Sequence, residues 1–498
     1  MSLIQMETAA TDQLTEAVRT ILPALENFLH HEGADPAARQ STRWKAVLNQ
    51  PLPEQGAGLT QVLQTLAETV IPNGLRNGAP GFSGWITTAP TTSGTAAALA
   101  ATVAGSQRWW EQPFNYLETV ALRWLAELLE IPRDMQGTFT SGGAIANLIA
   151  LGAARQRACE RFGHDPARNG MPSFLRWRIY ASSEVHHVVV RAAAVLGLGR
   201  DAVAKLPADS QHRMHLDHLY TVLELDRAKG VFPLAIVANA GTVNTGAVDP
   251  IAPMAEIAAA YNTWLHVDGA YGLFGKLDAR VAALYRGLER ADSITVDPHK
   301  WLAAPVGCGA VFVRDRALLE RAFTLEPATY LEGAASRGEV ESPFDHFGEL
   351  YHNFNVEQSA PSRGVLVWAI LQEIGAEGMR ARVVRHNSFA RHLAARVMAD
   401  DHLELLAMPT LSICAFRYYA PHLEESVLDQ LNQEIARRLR AEGKFVPSTT
   451  KVAGKFALRP CYVNPRTTLA EVDGLAGRVR EIGDELLEAS LKTMKIAA

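Results

Sequence analysis

The sequence predicts an α/β protein: a large domain built on a mostly parallel sheet, a smaller α+β domain after it, and a helical segment in front. Three observations carry this. Between residues 91 and 364, short continuous apolar runs alternate with helical patterns, as strands covered on both faces by helices require. After about residue 364 the rhythm changes to long helices with a few strands. Residues 1–90 show helical spacing broken by Pro and Gly, with no strand partner of their own.

The elements follow in order. Leu14, Val18, Ile21, Leu22 and Leu25 stripe a first helix, and Leu117, Val120, Ala121, Trp124, Leu125 and Leu128 stripe another that Pro132 ends. Arg178 to Ser182, Leu234 to Ala238, Trp264 to Val267, Ser293 to Val296 and Ala310 to Val313 read as buried strands, with helices such as Pro253 to Tyr261 between them. Residues 332–353, rich in Gly, Ser and charges, read as a mobile loop. Beyond it come a helix through Trp368, another over His386 to Met398, a strand at Leu411 to Tyr418, a helix at Glu425 to Ala441, a strand at Lys455 to Val463 and a final helix from Leu469.

Composition removes several function classes. With 498 residues, 48% hydrophobic and 20% charged, the chain can bury the cores of two or three domains. Its formal charge of −5 has no local concentration of Lys and Arg to meet nucleic acid, and the Arg108-Trp109-Trp110 triplet reads as packing. Cys159, Cys308, Cys414 and Cys461 are widely spaced, which indicates neither disulfides nor a thiolate metal site and suits a reducing cytoplasm. The N-terminus lacks a secretory pattern, and the alanine-rich run from Ala96 to Val103 is too short to span a bilayer. His212, His215 and His218 lie at a spacing that spreads them around a helix or turn, so no metal is expected there.

Two neighbouring stretches carry the chemistry. His266-Val267-Asp268-Gly269-Ala270-Tyr271 ends an apolar strand on a carboxylate, and a buried carboxylate needs a partner. Thr295-Val296-Asp297-Pro298-His299-Lys300-Trp301 sets Lys300 in an otherwise apolar context. Desolvation favours the neutral, nucleophilic form of an amine. Upstream, Thr140-Ser141-Gly142-Gly143-Ala144-Ile145-Ala146-Asn147 opens a helix with a hydroxyl-bearing turn and two glycines, a geometry that offers backbone N–H groups to an anion. Taken alone, this turn reads equally as an ordinary capped helix start. No full G-x-G-x-x-G precedes a helix, which weighs against a dinucleotide site. Ser183-Glu184-Val185-His186-His187 opens another helix, and the residues do not by themselves decide which histidine has a role beyond capping. Thr242, after Gly241, reads about as well as a turn residue as a ligand-facing hydroxyl.

In this order the motifs resemble those of group II pyridoxal-phosphate (PLP) dependent amino-acid decarboxylases, the family of aromatic-amino-acid, histidine and glutamate decarboxylases. The similarity runs from Ala79-Pro80-Gly81-Phe82 to Asn464 and is most specific over 264–301 and 140–147. It implies a fold-type I PLP enzyme with an N-terminal dimer-forming segment (1–90), a PLP-binding domain (91–364) and a small C-terminal domain (365–498). By resemblance, Lys300 forms the Schiff base and Asp268 keeps the pyridine nitrogen protonated. Ala270 lets the ring lie flat. Gly143 and Ala144 supply backbone donors to the phosphate, with Asn147 and His299 beside it. His186 stacks on the ring, although Val188 stands where the family has Ser in its H-x-S-[IV]-x-[KR]-A pattern. Thr242 lies near the cofactor and substrate carboxylate. Tyr330, in Leu325-Glu326-Pro327-Ala328-Thr329-Tyr330-Leu331, is the loop tyrosine that returns a proton, Arg459 reaches the site from a C-terminal strand, and Trp85 and Ile86 line the side-chain pocket. Where many relatives carry paired arginines this chain has Ala360-Pro361-Ser362-Arg363-Gly364, so Arg363 receives no role.

The implied reaction is α-decarboxylation of an L-amino acid to an amine and CO2, in a homodimer whose chains share their sites, without nucleic-acid or membrane partners. Trp85 and Ile86 point to an aromatic substrate, with glutamate or another acidic or diamino acid as the alternative. An aminotransferase or aldehyde lyase of the same fold is a rival that Tyr330 and His186 disfavour. A catalytically silent PLP-binding protein is a rival that the intact Lys300, Asp268 and His186 disfavour.

Overall fold

The computed structural model describes residues 10–30, 43–104, 113–324 and 351–497. Strand β1 (Phe82–Ser83) belongs to a second, smaller sheet. The large sheet has seven strands: β2 (Gln136–Thr140), β3 (Arg176–Ser182), β4 (Val203–Leu206), β5 (Val231–Asn239), β6 (Trp264–Asp268), β7 (Ser293–Val296) and β8 (Gly309–Val313), in the order β2-β8-β7-β6-β5-β3-β4. Every pairing is parallel except the two made by β8. The mostly parallel α/β architecture expected from the sequence is the one observed. Every residue of β6, β7 and β8 is buried, which is why their sequences run apolar without alternation.

Because β8 is antiparallel to both neighbours, β2 runs the same way as β7. The C-terminal ends of β2, β3, β5, β6 and β7 therefore share one edge. That edge receives the turn before the helix Gly143–Glu160, the start of the helix His187–Val195, the end of β6 at Asp268 and the turn that carries Lys300. In open α/β sheets ligands collect at such an edge, where loops end on strands fixed by the core. The helix Gly143–Glu160 lies against the sheet with small residues, and at Gly152 an added Cβ would come within 2.4 Å of Phe323 Cζ.

The second sheet has the order β1-β11-β12-β10-β9, with β9 at Leu403–Ala407, β10 at Ala415–Tyr418, β11 at Val446–Val452 and β12 at Lys455–Arg459. Two expectations need correction. The N-terminal region does have a strand partner, since Phe82 pairs with Val446 in parallel register. The strands expected at Leu411 to Tyr418 and Lys455 to Val463 are shorter, because Pro460 has no N–H to continue the ladder and only an isolated bridge, Ile413 to Cys461, follows it. The two helices expected around Trp368 and His386 are both present within Gly364–Met398 and are separated at Gly375, whose φ of +65° is not helical. The first packs on the large-sheet core through Val367 and Ile370, and the second on the small-sheet core through Leu393 and Val397.

Candidate active site

At the shared strand edge a cavity of about 840 Å³ opens. One wall is the turn Ser141-Gly142-Gly143-Ala144, made by the end of β2 and the first residues of the following helix. Gly142 has φ of +139°, a conformation side chains resist. A Cβ on Gly143 would lie 2.8 Å from Asp297 Oδ2 and 3.1 Å from Ala270 Cβ. The turn thus offers bare backbone at the positive end of an 18-residue helix. Beneath it His299 Nδ1 donates to the Cys308 carbonyl at 2.7 Å.

Asp268 closes β6 and is 8% exposed. Its Oδ1 accepts from Ala270 N and Thr295 Oγ1, each at 3.1 Å, while Oδ2 takes no hydrogen bond among the described residues. One oxygen is therefore anchored and the other is left for a donor in the cavity. Lys300 Nζ lies 3.0 Å from Asp297 Oδ2. Behind Lys300, the Trp301 ring stacks on Tyr271 and its Nε1 donates to His386 Nδ1 at 3.0 Å, which locks the turn onto the helix Gly364–Met398. His186 caps the helix His187–Val195 by accepting Val188 N at Nδ1, 3.4 Å. Burial lowers its pKa, with the nearby Asp268 carboxylate acting the other way.

The opposite wall comes from distant segments. Phe82, Trp85 and Ile86 face it together with Val243, Val446 and Pro447. Trp85 is 61% exposed, so it is not a core residue, and it sits at φ +49°, a conformation that surrounding contacts must enforce. Its N–H donates to Ser448 Oγ and its carbonyl accepts from Arg459 Nη1 at 2.8 Å. Arg459 also donates through Nη2 to the Val243 carbonyl. Its buried Nε has no hydrogen-bond partner among the described residues.

The sequence-selected residues are thus largely gathered: Trp85, Ile86, Gly143, Ala144, Asn147, His186, Asp268, Ala270, His299, Lys300 and Arg459 all line one cavity. Thr242 does not line it. Its Oγ1 accepts from Ala247 N at 3.1 Å and lies 3.1 Å from Thr245 Oγ1, so the hydroxyl serves its own turn. Tyr330 lies outside the described residues. Sequence reasoning missed Thr295, Asp297 and Asn239. Asn239 ends β5 as Asp268 ends β6, a polar residue closing an apolar run, so the signal was present. It also missed Ser448, Thr449 and Thr450, which reach the cavity only through the pairing of β11 with β1.

These groups fit PLP: a glycine cradle with no room for a Cβ suits its phosphate, the unengaged Asp268 oxygen its ring N–H, and Lys300 its aldehyde. Residues 42–419 match the model of the pyridoxal-dependent decarboxylase conserved domain. The chain is 30% identical to an aromatic-L-amino-acid decarboxylase of Bacillus atrophaeus over 74% of its length and 73% of that protein. It is also 30% identical to an L-2,4-diaminobutyrate decarboxylase of Rhizobium meliloti (strain 1021), over 88% and 84% respectively. Its fold is similar to the glutamate decarboxylase domain of a diaminobutyrate-pyruvate transaminase and L-2,4-diaminobutyrate decarboxylase from Vibrio parahaemolyticus, with a TM-score of 0.82, 26% identity, and 95% and 96% of the two chains covered.

Proposed function

Since the chain belongs to the pyridoxal-dependent decarboxylase family and is a PLP-dependent amino-acid decarboxylase, a carboxy-lyase, we propose that its substrate is an aromatic L-amino acid. The observation that carries this is the apolar wall of Phe82, Trp85 and Ile86, facing Val243, Val446 and Pro447. A charged side chain placed there would lose its hydration without a counter-charge. Of the two arginines that line the cavity, Arg440 and Arg459, the latter already donates to two backbone carbonyls.

PLP, when bound, supplies an electron sink for the pair left at Cα as CO2 departs. The protein does the rest. Lys300, which lines the cavity, would hold the cofactor through its amine. Asp268, fixed through Oδ1 by Thr295 and Ala270, has Oδ2 free of hydrogen bonds among the described residues and would use it to keep the cofactor's ring nitrogen protonated. His186 lines the cavity with Nδ1 spent on Val188 N, which leaves Nε2 as the ring nitrogen that would orient the substrate carboxylate. Tyr330, outside the described residues, returns the proton to Cα in this reading. Arg459 acts by bracing the Trp85 and Val243 loops.

A diamino acid is the second reading, favoured by the polar edge that Asn244 and Thr450 give the same cavity: Thr450 donates to Asn244 Oδ1 at 2.8 Å, and behind the edge Asn244 donates to Glu184 at 2.9 Å. Measuring CO2 release from tryptophan, tyrosine, dihydroxyphenylalanine, 2,4-diaminobutyrate and glutamate separates the two. Turnover confined to the last two amino acids would overturn the aromatic reading.

The reading includes a homodimer with shared sites. It is supported by Leu14, Leu22, Leu25 and Leu29, which the helix Ala10–His30 leaves 38–44% exposed. Light scattering at twice the chain mass is the expected result. A cytoplasmic location belongs to the same reading and is supported by four buried, unbridged cysteines. Among the described residues no helix is long and apolar enough to cross a membrane.

A further inference from the structure

Under the phosphate-facing turn runs a line of hydrogen bonds through Trp264, Ser293 and His266, none of them assigned above, to Asn147 and Gly143. Trp264 Nε1 donates to Ser293 Oγ at 2.7 Å, and Ser293 Oγ lies 2.8 Å from His266 Nδ1. His266 Nε2 lies 3.0 Å from Asn147 Oδ1, and Asn147 Nδ2 donates to the Gly143 carbonyl at 2.8 Å. Ser293, His266 and Asn147 are completely buried, so the bonds that join them are made without competition from water.

The direction of this line is determined at its end. A carbonyl only accepts, so Asn147 must turn its NH2 to Gly143 and its oxygen to His266. His266 Nε2 must then carry a hydrogen. Burial pushes the imidazole down to a pKa of about 4, so the ring is neutral near pH 7 and its Nδ1 is an acceptor. The Ser293 hydroxyl, already accepting from Trp264, supplies that hydrogen. Each member thus has one allowed orientation.

The consequence falls on one peptide plane. The Gly143 carbonyl and the Ala144 N–H belong to the same planar unit and point in opposite directions. With the carbonyl held back along the helix by Asn147, the Ala144 N–H points the opposite way, toward the N-terminal end of the helix, where Gly143 and Ala144 line the cavity. Glycine at 143 gives that plane no side chain to steady it.

We propose that His266 is a positioning residue for the cofactor phosphate: through Asn147 it fixes the Gly143–Ala144 peptide so that its N–H meets the phosphate oxygen. This rests on the turn being the phosphate site. Ser293 serves the same end one step further back by holding the His266 tautomer.

The test compares PLP with pyridoxal, which lacks the phosphate, on apoprotein, following binding by absorbance and by quenching of intrinsic fluorescence. His266→Phe keeps a ring of similar size and breaks both links of the imidazole, and Ser293→Ala removes the hydroxyl's contacts with Nδ1 and Trp264, leaves the His266–Asn147 link and covers the case in which the first variant does not fold. In both, affinity for PLP should fall roughly tenfold, the size expected for one misaligned hydrogen bond to a charged group, with pyridoxal affinity unchanged. Inorganic phosphate should compete with PLP less well in the variants than in the wild type, and His266→Gln, which can still donate to Asn147, should recover part of the loss. Equal losses for PLP and pyridoxal, or no loss for either, would overturn the role of His266. A wild-type protein that binds PLP no more tightly than pyridoxal would instead overturn the assignment of the turn itself.

Discussion

Lys300 Nζ and Asp297 Oδ2 stand 3.0 Å apart, an ion pair closed within one turn, and the carboxylate is 1% exposed. Asp297 Oδ1 has no hydrogen-bond partner among the described residues, so the lysine ammonium is the principal compensation for a buried charge. Lys300→Ala is expected to abolish turnover and also to destabilise the apoprotein, on the order of 3 kcal/mol, the cost of leaving one member of a buried pair. Adding Asp297→Asn should recover most of the stability and none of the activity. Denaturant unfolding of the single and double variants checks the first part, and borohydride reduction with peptide mapping checks that the wild-type imine is on Lys300 and not on Lys276 or Lys205.

Asp268→Asn should leave substrate affinity nearly intact and lower kcat by roughly 10²–10³-fold, the scale found when one preorganised electrostatic partner is removed. An amide can hydrogen-bond the ring but cannot stabilise its protonated form. Steady-state kinetics on the best substrate decides it: a variant with near-normal kcat would move the electron-sink role to another group.

Tyr330→Phe should divert product from amine toward aldehyde, with ammonia, peroxide and oxygen consumption, if a phenol protonates Cα faster than oxygen reaches it. An oxygen electrode with product analysis is the check. Unchanged amine yield without oxygen uptake would remove Tyr330 from the mechanism.

Acid should weaken the fold through His266. Its folded pKa of about 4 lies below the ordinary 6.5, so the unfolded chain takes up a proton between those values that the folded chain refuses. The stability contribution is whole above pH 6.5 and is lost as pH falls toward 4. His386, depressed further by burial and by nearby Arg385 and Arg382, acts in the same direction. Urea unfolding between pH 7.5 and 5 should show stability falling with pH, and His266→Phe should reduce the slope by up to about 1.4 kcal/mol per pH unit.

Much of this molecule is legible in the chain because the informative residues are close in sequence and their environment is uniform. β6 and β7 are buried on both faces, so their apolar runs announce strands. Asp268 and Lys300 each follow such a run, and a carboxylate or lysine there stands out against its neighbours. β4, β9 and β11 are only partly buried, and their mixed composition carries no comparable signal. β1 is two residues long and exists because Phe82 finds Val446 on the far side of the sequence.

What the sequence determined by itself was the chemistry: a lysine, a carboxylate and a glycine turn in the order that PLP decarboxylation uses, on an alternation of elements that permits only a helix-covered sheet. Tertiary structure alone decided how those groups are held and what surrounds them. The parallel register of β5, β6 and β7 sets Asp268 beside Thr295 and His266 beside Ser293, and the pairing of β11 with β1 brings Val446 and Ser448 to Trp85. The hydroxyl of Thr242 is engaged within its own turn, by Ala247 N and Thr245 Oγ1. Such choices depend on distances between segments far apart in the chain, and a linear pattern contains the residue types without the register that pairs them.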